Sequence, residues 1–189
     1  MTPFQVTVAG PVTFHGIGLH LGQPCQLICR PASEREGIYF INLEGKRSYP
    51  SLENLKDRPL RTAFETDGFA IETAEHLLAA IHGLGISNLE IQIDGIEPPA
   101  LDGSALIYAQ ELLKVGLVEQ HAEKEYFVVD EPLVVQDIGG GQITALPYSK
   151  GLKISYVLSG EGLPDQVVDY EHTQENFMSQ FAPARTFCR

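Results

Sequence analysis

No apolar run in the 189 residues approaches the roughly 20 that a helix needs to cross a bilayer. The N-terminal MTPFQVTVAGPVTFHG also lacks the basic stretch followed by an apolar core that marks a chain for export. These two absences are those of a soluble protein, read as cytoplasmic. Positive charge is scarce: 13 Lys and Arg against 25 Asp and Glu leave a net charge of −12, with no local cluster of cations. Such a surface repels a polyanionic backbone, which argues against nucleic-acid binding. Cysteine is scarce too. Cys25 and Cys29 lie within CQLICR, which reads as a strand, and four residues of strand hold their Cα atoms about 13 Å apart, too far for a disulfide. With Cys188 the count is odd, and with no CxxC the first two read as reduced core thiols rather than metal ligands. What is present is a 43% hydrophobic chain, long enough for one large domain or two small ones, each with its own core.

Along the chain, β-like alternation runs through FQVTVAG, CQLICR and GIYFIN, with PASEREG as the turn between the last two. The Asp67-Gly68 pair predicts a hairpin within RTAFETDGFAIET. The period then lengthens. Leu77, Leu78, Ile81 and Leu84 follow helical spacing, with Thr73 as the expected N-cap and Gly83 and Gly85 at the end. NLEIQID reads as a strand. PPALDGSALIYAQELLKVGL reads as a second helix, opened by Asp102 or Ser104 and closed near Gly116. The first unit, residues 1–120, is therefore expected to be an α+β layer.

The charged EQHAEKE stretch, residues 119–125, reads as a linker, after which strands resume at YFVVDEPLVV. An internal repeat emerges here: VAGPVTF is echoed by VDEPLVV, and CRPASEREGIYFI by ALPYSKGLKISYV. The fold expected is thus α+β with two similar domains, each a sheet layered with helices. The second, 126–189, has about half the residues that a full repeat needs and is expected to be incomplete in this chain.

Three stretches can carry chemistry. In ETAEHLLAAIHGLG, Glu75 and His76 sit side by side in the first turn of the predicted helix, with Glu75 pointing away from its apolar face and His76 at the border. At a helix N-terminus the macrodipole favours an ionised carboxylate and a neutral imidazole. Those forms suit a general base and a zinc ligand, although a first-turn glutamate and a surface histidine also occur without function. His76 and His82 are six apart, about 120° around the axis and 9 Å along it, so they cannot share a metal as HExxH does. In HGIGLHLG the glycines miss the dinucleotide spacing by one and no helix follows, which leaves a tight turn presenting His20, either a substrate-facing loop or a plain hairpin. The third stretch is IEPPALDGSA, most simply a structural turn with Asp102 as a cap.

Taken together and in this order, GIGLH, TAEHLLAAIHGLGISN, EPPALDGSA and ARTF resemble the UDP-3-O-acyl-N-acetylglucosamine deacetylases, zinc enzymes that commit Gram-negative bacteria to lipid A synthesis. The resemblance implies that Glu75 is the general base and His76 a zinc ligand. It implies further that Thr186 helps to stabilise the oxyanion, with Phe187 on the substrate side and His20 in support. The substrate implied is a UDP-linked acylated glucosamine. The family takes its other two zinc ligands from an HKxxD motif that this chain does not contain, so the 189 residues alone are expected to be inactive. The competing expectation is a non-catalytic, degenerate paralogue that binds a sugar nucleotide or a partner protein.

Overall fold

The computed structural model describes residues 2–160 and 163–185. Strands β1 (Phe4–Val8), β2 (Val12–Ile17), β3 (Pro24–Pro31), β4 (Ile38–Ile41) and β5 (Arg47–Ser48) come first. Three short strands follow, β6 (Leu55–Lys56), β7 (Ala63–Thr66) and β8 (Phe69–Ile71). Helix α1 (Glu75–Gly83), strand β9 (Leu89–Ile93), helix α2 (Leu106–Val115) and strand β10 (Leu117–Glu123) complete this part. After it come β11 (Leu133–Gln136), β12 (Gln142–Ala145), β13 (Lys153–Gly160) and β14 (Leu163–Glu171). The protein is α+β. Among the described residues, no helix is long and apolar enough to cross a membrane.

Contacts divide the described chain into two units, one of residues 2–124 with 177–185, the other of residues 125–176. The first is organised by a five-stranded sheet in the order β2-β3-β9-β4-β5. Its middle strand, β9, runs antiparallel to β3 and parallel to β4, so it closes the gap between two earlier hairpins. The sequence reasons are visible strand by strand. In β3, Cys25, Leu27 and Cys29 are buried and alternate with exposed or half-buried neighbours, and in β9 Leu89, Ile91 and Ile93 are fully buried. Leu77, Ala80 and Ile81 of α1 and Tyr108, Ala109 and Leu112 of α2 recur at helical spacing and join the same core. The Tyr108 ring packs 4.8 Å from that of Phe14, and its hydroxyl, which could not be buried unpaired, donates to the Pro99 carbonyl.

Both cysteines of β3 are buried in this core as free thiols, and burial pushes both up, Cys25 to about 12, which disfavours the thiolate. The Asp67-Gly68 hairpin is present between β7 and β8, both turn residues having positive φ, as a two-residue connection of this kind requires. Phe177 contributes a buried ring to the same core, lying against Gly83 so closely that a methyl there would overlap it.

Three sequence expectations need correction. Residues 119–123 are not a linker: they form β10, paired antiparallel with β1. Their charges misled because β10 itself is mostly open, with Ala122 its one buried residue, while the strand it pairs with, β1, is buried from Gln5 to Val8. Strands do not resume at residue 126 but at Leu133. Thr73 does not cap α1; Ala74 holds that position, and no side chain caps it.

The second unit holds two antiparallel hairpins, β11 with β12 and β13 with β14. In each, a strand pairs with the next, as β2 does with β3 and β4 with β5.

Candidate active site

Glu75 and His76 open α1, both half-buried. The backbone N–H of Thr62 donates to Glu75 Oε2 at 3.0 Å, and Ala74 N donates to the Thr62 carbonyl at 3.2 Å, so the segment ahead of β7 fixes both the helix start and the carboxylate. Glu72, just upstream, is ion-paired with Arg58 and Arg61, and its N–H donates to the Ile96 carbonyl at 2.8 Å.

The glycine stretch is the connection between β2 and β3. Gly18 N donates to the Gln23 carbonyl and Gly22 N to the Gly18 carbonyl, which folds Leu19, His20 and Leu21 into a turn with all three side chains exposed. The loop joins two paired strands, and His20 is on its surface.

What fastens that loop is Glu97, the first residue of EPPALDGSA. Its side chain is 3% exposed and accepts three hydrogen bonds: from His20 N at 2.8 Å, from Leu21 N at 2.8 Å and from the Thr73 hydroxyl at 2.6 Å. Burial alone would raise this carboxyl, but the hydroxyl and the two amides outweigh it and hold the group below the ordinary glutamate range. Thr73 itself has φ +53°, a left-handed conformation that a β-branched residue adopts only under constraint. The sequence offered one signal of this: an acidic residue wedged between Ile96 and two prolines has no obvious solvent-facing purpose.

Asp102 is not the N-cap of α2. Its Oδ1 accepts from Ser104 N and Ser104 Oγ, and Ser104 Oγ accepts in turn from Leu106 N at 3.1 Å, so the helix start is satisfied by a relay of two side chains. Burial raises the Asp102 carboxyl, but Ser104 and Arg185 overcome this and lower it. Arg185, from ARTF, lies 3.5 Å from Asp102 as an ion pair, which joins two of the sequence motifs. Thr186, Phe187 and Cys188 lie outside the described residues.

Among the described residues, no three His, Cys, Asp or Glu side chains stand together so as to hold a metal. His76 alone falls short of the three protein ligands that a catalytic zinc uses.

The profile of the UDP-3-O-acyl N-acetylglycosamine deacetylase family matches residues 5–189. The chain belongs to that family. Relatives named UDP-3-O-acyl-N-acetylglucosamine deacetylase include those of Thermodesulfovibrio yellowstonii, 35% identical over 98% of this chain and 64% of that protein, and Geobacter sp. strain M21, 36% identical over 97% of this chain and 61% of that protein. The protein of Campylobacter jejuni is 32% identical over 97% of this chain and 63% of its own length. The chain thus spans about 60% of the length of the curated relatives it matches. The deacetylase family's match covers all four motifs, the loop, the Glu-His helix, the EPPALDGSA turn and ARTF, within one continuous stretch.

Proposed function

We propose that this chain is part of a zinc-dependent amide hydrolase that removes acetate from UDP-3-O-acyl-N-acetylglucosamine, the committed step of lipid A biosynthesis, and that it works in the cytoplasm. The observation that carries this reading is the Glu75-His76 pair, set in the first turn of α1 with the Glu75 carboxylate held by a backbone N–H, in a member of the deacetylase family.

In this reading Glu75 is the general base. An ionised carboxylate at a helix N-terminus, restrained by one hydrogen bond at Oε2, keeps Oε1 available to accept a proton from the water that attacks the acetamide carbonyl. His76 would hold one ligand position of the zinc, with the others supplied from outside the described residues. When bound, zinc supplies Lewis acidity towards the carbonyl and lowers the pKa of water. Thr186 donates to the developing oxyanion, Phe187 lines the substrate side, and His20 supports the substrate from the glycine loop. The 189-residue polypeptide on its own is inactive in this reading, because a single histidine does not retain a catalytic zinc.

The test is zinc content and acetate release from the UDP-linked substrate, measured on the protein expressed from its complete gene. Glu75→Gln should keep the metal and lower kcat by roughly 10²–10⁴-fold, whereas His76→Ala should lose the metal. A wild-type protein that carries no zinc and releases no acetate would instead be the non-catalytic paralogue.

A further inference from the structure

Two parts of the proposed site come from distant stretches of sequence, the His20 loop and the start of α1, and one buried carboxylate touches both. Glu97 Oε1 accepts from His20 N and from the Thr73 hydroxyl, while Oε2 accepts from Leu21 N. We propose that Glu97 is a positioning residue that locks the His20 loop to Thr73, in the segment that leads into the Glu75-His76 helix, so that the two present themselves to a substrate as one rigid element.

The chemistry of the joint supports this specifically. Two consecutive backbone amides and a hydroxyl, all donors, converge on one side chain, and only a carboxylate has acceptor sites for all of them on both of its atoms. A glutamine would aim a donor at one of these donors. Such charge-assisted bonds are roughly twice as strong as neutral ones and act here where water is excluded. The loop is shaped to the carboxylate from its own side as well: Gly18 lies so close that a methyl would overlap the Glu97 side chain. On the helix side, the left-handed Thr73 is three residues from His76 and two from Glu75, and its hydroxyl is the group that the carboxylate holds. Leu19, His20 and Leu21 turn outward because two of the loop's amides turn inward.

That the two parts serve one reaction rests on the deacetylase reading; that they are locked together does not. Amide hydrogen exchange followed by mass spectrometry, on peptides covering residues 17–23 and 72–78, separates the two questions. Glu97→Gln should speed exchange in both peptides by roughly tenfold or more. Thr73→Val, a milder change that removes only the helix-side hydroxyl, should speed exchange in the loop peptide as well as its own. In the acetate-release assay both variants should lower kcat more than they raise KM, since the groups displaced are those that act on bound substrate. If Thr73→Val leaves the loop peptide unchanged and Glu97→Gln affects the loop alone, the lock is disproved, whatever the activity. If the coupled exchange is seen but the wild-type protein from its complete gene releases no acetate, the lock stands and the deacetylase reading falls.

Discussion

The two units pair their strands alike and bury them very differently. In the first, the hairpin β2-β3 and the hairpin β4-β5 are joined by β9, and α1 and α2 add their apolar stripes to the same core, leaving Leu27, Phe40, Ile91 and Leu77 with no exposed surface. In the second, β11-β12 and β13-β14 stand as separate hairpins, with no described strand between them, and Val135, Ile143, Val157 and Val168 are each more than half exposed. Similar alternating sequences are thus covered in one unit and open in the other among the described residues. A hairpin acquires an inside only when a third strand and a helix supply the other half of its core.

The largest effect that this comparison predicts is at the bridging strand. Ile91→Asp puts an unpaired charge at a fully buried position of β9 and should cost about 5 kcal/mol or more, most of the stability of such a unit. Loss of the cooperative thermal transition by circular dichroism would register it, and a normal melting curve would mean that β9 is not what joins the sheet. Phe177→Ala removes a ring that is 2% exposed and should cost about 3–5 kcal/mol, read from denaturant titration of the first unit. A change below about 1 kcal/mol would sink the assignment of residues 177–185 to that core.

Acid gives a smaller, graded effect. Because the folded protein holds Glu97 below its ordinary value, the unfolded chain binds the extra proton first, and the stability contributed is complete above the ordinary glutamate pKa. It is lost as the pH falls through the depressed value. Glu97→Gln should therefore flatten the acid limb of the stability curve, only in part, since Asp102 is lowered too and acts in the same direction. Denaturant titrations at a series of acid pH values check this, and superimposable limbs for the two proteins would contradict it. The smallest effect belongs to the second unit. Val157→Asp, at a residue 58% exposed, should change the stability of the 189-residue chain by no more than about 0.5 kcal/mol. A large loss there would show that the hairpin faces are covered in solution and would erase the contrast with Ile91.

Much of the first unit was legible because its elements obey a single period: β3 and β9 alternate by two, α1 and α2 recur by three and four, and Asp67-Gly68 can hardly be anything but a tight turn. What escaped detection was decided by distant contacts. β10 looks like a linker until β1 is laid beside it, and Thr73 looks like a cap until its hydroxyl is seen to be claimed by Glu97, 24 residues away. That Glu75 and His76 open a helix could be read from local sequence, because the apolar spacing behind them sets where α1 begins. Glu97 left only a faint signal, because two of its three partners are backbone amides, which carry no residue identity.

The place of β9 in the sheet also imposes an order of events. It lies between β3 and β4 yet is made some fifty residues after them, so during synthesis both hairpins must wait with one edge unpaired until residue 93 has left the ribosome. The sheet therefore cannot grow outward from its first strands. Its centre arrives last, and the span between β4 and β9 is a stretch of translation in which two open edges compete for any strand within reach.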